Sequence, residues 1–76
     1  MHKKNFAIFT RAIITKPELN VFDSHCYAST LERAREIGRM ARDEHWYPAG
    51  YAFKDTTIYR MQIDPPKLIE LERYET

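Results

Sequence analysis

The sequence predicts a small α+β domain: a single-layer antiparallel sheet of three to four strands with one helix packed on one face, in the order ββαβ or ββαββ. Three observations carry this. Asn5 to Thr15 (NFAIFTRAIIT) is apolar on both alternating sets of positions and rich in β-branched and aromatic residues, the pattern of a strand partly covered on both faces. Residues 29 to 45 place small and apolar residues at helical spacing. The chain after Pro48-Ala49-Gly50 becomes extended again.

Each element follows in order. Lys16-Pro17-Glu18 ends the first strand, because proline lacks an amide donor and fixes its own φ. Leu19 to Ala28 is strand-like again, so the two form an antiparallel hairpin. A helix then starts at Ser29 or Thr30. Ser29 with Glu32 fits a capping box, and Thr30 is a competing cap. Leu31, Ala34, Ile37, Gly38, Ala41 and His45 share one arc of about 120° and face the sheet. Ala34, Gly38 and Ala41 are small enough to bring the helix axis close, which offsets the roughly 1 kcal/mol that glycine costs in a helix. Pro48-Ala49-Gly50 turns the chain. Tyr51 to Ile63 is one long strand with a bulge, or a hairpin turning at Lys54 to Thr57. Ile58, Arg60 and Gln62 lie on one side of it, with Tyr59, Met61 and Ile63 on the other. Asp64-Pro65-Pro66 stops it. Residues 1–64 make the single domain, and 65–76 a C-terminal tail or a short helix with Leu68 and Leu71 inward.

Composition narrows the function. The 76 residues include 12 Lys and Arg against 11 Asp and Glu, a net charge of +1, so no global field recruits nucleic acid or anionic lipid. Hydrophobic residues at 43% and aromatics at 13% specify a folded chain with room for one small core. A single cysteine, Cys26, forms no internal disulfide and suits a reducing compartment. With no secretory signal and no membrane-length apolar run, the expected location is the cytoplasm.

Catalytic constellations are missing. His25 and Cys26 are neighbours in a strand and point to opposite faces, so they make neither a nucleophile with its base nor a metal pair. Cys26 reads as a core or edge thiol and His25 as a surface residue. The two glycines lie too far apart for a phosphate loop, and no CxxC or HxxxH spacing occurs. The expectation is a protein that is not an enzyme and needs no metal or cofactor.

The stretch from Tyr27 to Tyr51 carries a more specific signal. Tyr27, Ala28, Thr30, Leu31 and Ala34, followed by Tyr47-Pro48-Ala49-Gly50-Tyr51, resemble the small early proteins of T-odd phages that inhibit bacterial RNA polymerase. Their helix unit reads Tyr-Ala-x-Thr-Leu-x-x-Ala, followed by Tyr-x-Pro-Ala-Gly and an aromatic. Between Ala34 and Pro48 this chain is longer by about one helical turn, which keeps the inward face. The family's arginines just after that aromatic are replaced here by Ala52-Phe53-Lys54-Asp55, leaving Lys54 and, further on, Arg60 as the matching charges. Asp23 is the counterpart of the family's acidic residue in the second strand.

The resemblance implies a host-takeover protein that inhibits transcription by protein–protein interaction in the host cytoplasm. The expected contact set is Asp23, Lys54, Tyr59, Arg60 and Gln62, with Trp46 as an exposed aromatic anchor. One of Trp46 and Tyr47 closes the core and the other is partly exposed. The competing reading is a small RNA- or DNA-binding protein using the stripe Arg35, Arg39 and Arg42 together with sheet aromatics. Glu36 and Asp43 lie within one turn of that stripe and partly neutralise it.

Overall fold

The first apolar run becomes β1, Phe6–Ile14, in the structure, a computed structural model that describes residues 4–14, 21–44 and 46–75. It is followed by β2, Val21–Ala28, the helix α1, Leu31–Glu44, β3, Tyr51–Ile63, and β4, Pro66–Glu75. The four strands form one antiparallel sheet in the order β2-β1-β3-β4, and α1 packs on β1, β2 and β3. This is the expected α+β class, one antiparallel sheet with a single helix packed on it, in the order ββαββ. The hairpin expected between the first two strands forms, while its connection at Lys16 to Glu18 and the strand start expected at Leu19 lie outside the described residues, as does His45.

The double apolar pattern of the first strand now has its cause. β1 is a central strand flanked by β2 and β3, so Ala7 on one face and Ile8 and Ala12 on the other are all buried. The stretch after Gly50 is one strand and not a hairpin. Its register against β1 steps from Arg11 opposite Asp55 to Ala12 opposite Phe53, which makes Lys54 the extra residue of a bulge. Gly50 sits at φ 95°, and the Tyr51 amide donates to the Pro48 carbonyl at 3.2 Å. That is a turn whose third position requires a left-handed residue.

The C-terminal segment departs from expectation. Residues 66–75 are neither tail nor helix but the edge strand β4, paired with β3 from Asp55 opposite Glu75 to Ile63 opposite Pro66. The domain boundary expected at residue 64 falls inside this hairpin. Leu68 and Leu71, expected inward at helical spacing, are exposed at 46% and 39%. Pairing with β3 along one edge of the segment overrides its local helix propensity.

The core lies between the sheet and α1. Ile8, Ala28, Ala34, Ile37 and Ile58 form its main cluster, with Phe6, Cys26, Leu31 and Tyr74 packed against it. Ala12, Tyr47 and Phe53 form a second. The buried Thr10 and Thr56 hydroxyls satisfy each other at 2.9 Å. A side chain on Gly38 would meet the Tyr74 ring at 3.0 Å, so this glycine sets the distance between helix and sheet, as its place on the inward arc predicts. Thr30, and not Ser29, is the cap: its Oγ1 accepts the Arg33 amide at 3.1 Å.

Candidate functional site

One face of the sheet carries the helix; the other carries a row of aromatic rings. Antiparallel register decides which side chains meet there. Phe9 stands opposite His25 on β2 and Thr57 on β3, and Ala7 stands between Tyr27 and Tyr59. The rings touch in sequence. Phe9 and Tyr59 have centroids 5.2 Å apart, Phe9 and His25 5.9 Å, and His25 and Tyr27 5.6 Å, in the tilted and edge-on geometries that ring quadrupoles favour. The row spans three strands. Met61, opposite Leu68, and Ile63, opposite Pro66, continue the same parity along the β3–β4 hairpin, where Ile63 is 71% exposed.

Beside the rings lies a groove of ≈ 380 Å³ whose walls include Phe9, Arg11, Asp23, His25, Tyr59 and Arg73. Its floor is an ion pair. Arg11 donates from Nε to Asp55 at 3.0 Å and from Nη2 at 2.5 Å, and these hydrogen bonds, with the carboxylate's charge, raise the guanidinium pKa above its ordinary value. Asp55 is nearly fully buried, whereas the Arg11 side chain is 44% exposed. The bidentate geometry satisfies both carboxylate oxygens in a place that water barely reaches. At the outer strand Arg73 pairs with Glu70 at 2.8 Å.

The expected contact residues divide between the two faces. Tyr59 lies in the ring row and Asp23 on the groove wall. Arg60 and Gln62 have the opposite parity, on the side of Ile58 and the helix, and Arg60 is exposed. Lys54 is exposed at the bulge. Trp46 follows α1, 38% exposed, with its indole N–H donating to Glu44 at 3.3 Å, while Tyr47 is buried. The pair thus divides as expected, one in the core and one outside. The structure groups Asp23 with Tyr59 and leaves Lys54, Arg60, Gln62 and Trp46 elsewhere. Phe9, Arg11, His25, Tyr27 and Arg73 were not singled out as site residues. The parity of Phe9 and Arg11 was legible in the first strand, but matching it to Tyr59 requires the register between two strands far apart in sequence.

His25 and Cys26 point apart as predicted, one to Phe9 and Tyr27, the other to the core under α1. The arginine stripe is largely engaged. Arg35 donates to Glu72 at 2.9 and 2.6 Å, Arg42 pairs with Asp43 at 2.8 Å, and Arg39 is exposed.

Glu72 also accepts from the Tyr74 hydroxyl at 2.8 Å. Hydrogen bonds from Arg35, then from Tyr74, hold its pKa below the ordinary 4.5. A carboxylate depressed in the folded state contributes stability above its unfolded value and loses it as pH falls through its folded value. Acid unfolding of the wild type should therefore show a component that begins near pH 4.5 and grows below it. Glu72→Gln should remove that component, measured as unfolding free energy against pH.

Among the described residues no helix is long and apolar enough to cross a membrane, and no group of three or more His, Cys, Asp or Glu side chains is placed to hold a metal ion. Comparison with known proteins adds nothing to the geometry: no family model, no curated protein and no solved structure matches the chain.

Proposed function

We propose that this chain is a small non-catalytic protein of phage type that docks on a larger host protein through the sheet face opposite α1 and inhibits it by steric obstruction. Bacterial RNA polymerase, in the host cytoplasm, is the candidate partner implied by the motif resemblance. The observation that carries the docking reading is the contiguous row Tyr27, His25, Phe9, Tyr59 on a face without the helix. Rigid aromatic side chains are the usual anchors of protein interfaces.

Size and charge favour a protein partner. The molecule measures 42 × 24 × 19 Å, so its broad side matches the roughly 800 Å² that each partner contributes to a standard interface. Asp23, Asp55, Glu70 and Glu75 share this face with Arg11 and Arg73, and four acidic groups against two basic ones repel a phosphate backbone. The motif residues support the fold directly. Ala28 and Ala34 are buried, Thr30 caps α1, Leu31 joins the core and Gly50 makes the turn.

The test is binding of the purified chain to RNA polymerase by calorimetry, with a transcription assay alongside. Binding should fall on the order of a hundredfold in Phe9→Ala/Tyr59→Ala, the loss expected for two central aromatics, with folding checked by circular dichroism. Polymerase that neither binds nor slows would remove the named target. Binding that survives the double variant would displace the docking face. A salt-steep affinity for oligonucleotide, lost on neutralising Arg35, Arg39 and Arg42, would transfer the function to nucleic acid.

A further inference from the structure

We infer that two copies of this chain pair through the outer edges of β4 to form a two-fold dimer with one continuous eight-stranded sheet. The register sets Glu70 of each copy opposite Arg73 of the other. This inference is independent of the docking partner.

β4 ends the sheet, with β3 on one side and no described strand on the other. Its outer edge presents a row of N–H and C=O groups without sheet partners. Ten residues make it long for an edge, and it exposes Leu68 and Leu71. α1 reaches β4 through Gly38 against Tyr74 and Arg35 on Glu72, both on the inner face, so these contacts leave the outer edge of β4 uncovered by α1.

The side-chain pattern selects the second copy. The register of β4 on β3 steps from Ile58 opposite Glu72 to Tyr59 opposite Glu70, which makes Leu71 the bulged residue. Leu68, Glu70, Arg73 and Glu75 therefore share the ring face, and Lys67, Ile69, Glu72 and Tyr74 the helix face. A two-fold pairing must match like faces. Registers centred on Glu70 or on Leu71 fail, because they set ring-face residues against helix-face residues. Centring between Glu70 and Leu71 matches faces but opposes Ile69 to Glu72 and Leu68 to Arg73. Centring between Leu71 and Glu72 matches faces and opposes Glu70 to Arg73 and Ile69 to Tyr74, each twice by symmetry; it also opposes Leu68 to Glu75 and Leu71 to Glu72, so what separates it from the preceding register is the pair of opposite charges. One step further brings Glu70 onto Glu75.

Charge on an edge strand ordinarily discourages pairing. Here face parity removes two registers, like charge removes the one that sets Glu70 on Glu75, and opposite charge favours the one that sets Glu70 on Arg73, which is how patterning gives specificity. In the dimer both helices lie on one side, and the two ring rows form one continuous surface on the other.

Sedimentation velocity from micromolar to millimolar protein tests this. Wild type should show a concentration-dependent dimer. Arg73→Glu and Glu70→Arg should each weaken it roughly tenfold by turning two attractive cross-strand pairs into repulsive ones. Both side chains are substantially exposed, so neither reversal threatens the fold. The swap Glu70→Arg/Arg73→Glu should restore association to within about threefold of wild type, because the opposed pairs are re-formed with reversed polarity. A monomer at every concentration, single reversals without effect, or a swap no better than the singles would each overturn the inference.

Discussion

Replacing Ile58 by alanine is expected to cost about 4 kcal/mol of folding stability. Ile58 is fully buried on β3, opposite Ile8 of β1 in register, and clusters with Ala28, Ala34 and Ile37. Isoleucine-to-alanine changes in packed cores cost about 2–5 kcal/mol, with the upper range where the surroundings cannot collapse into the space left. Collapse is difficult here. Part of the lining is already small, since Ala28 and Ala34 have little side chain to move, and Gly38 holds α1 against the Tyr74 ring. A folded chain of 76 residues has roughly 4–11 kcal/mol to lose. The variant should therefore be partly unfolded at ambient temperature or unfold at a much lower denaturant concentration, with an unchanged slope. Ile63→Ala, on the same strand but 71% exposed, should lower the unfolding free energy by less than about 0.5 kcal/mol. Similar losses from the two would mean that the layer between helix and sheet is not the source of stability.

The same layer was the most legible part of the sequence. Spacing alone placed Leu31, Ala34, Ile37, Gly38 and Ala41 on the inward face, because helical periodicity is a local property that neighbouring residues report. Small residues on that arc predicted the close approach now seen at Gly38. β4 was not legible for the opposite reason. Leu68 and Leu71 are spaced as in a helix, and Lys67, Glu70, Glu72 and Arg73 are good helix formers, so nothing local announced a strand. Only pairing with β3 supplies the cause, and pairing is a long-range fact. The ring row was half legible. Alternation separated Phe9 and Arg11 from Ile8 and Thr10, but their meeting with Tyr59 and Asp55 depends on a register that Lys54 shifts by one residue, and no sequence signal marked where that shift falls. Alternation already sets Arg60 and Gln62 on the face opposite Tyr59, so a contact set that holds all three cannot lie on one face of the sheet.

Arg11→Ala should cost about 2–3 kcal/mol, and more than Asp55→Ala, although the two variants break the same ion pair. The asymmetry follows from burial. Asp55 keeps only 4% of its side chain exposed, while Arg11 keeps 44%. Without Arg11, the two carboxylate oxygens that accepted its Nε and Nη2 hydrogens would lose both donors in a place water barely enters, and an uncompensated buried charge is the costly outcome. The figure lies below the full penalty for a wholly buried pair because the guanidinium end of the site is open and admits some solvent. Without Asp55, Arg11 turns outward to water or toward the nearby Asp23 carboxylate, whose charge already acts on it. The double variant Arg11→Ala/Asp55→Ala should consequently be more stable than Arg11→Ala alone, since it removes the stranded charge together with its partner. Chemical denaturation of the three variants completes the cycle. Equal losses from the two single changes, or a double variant less stable than both, would mean that water solvates Asp55 freely and that the ion pair beneath the ring row is a surface contact, not the dry floor on which Phe9 and Tyr59 are set.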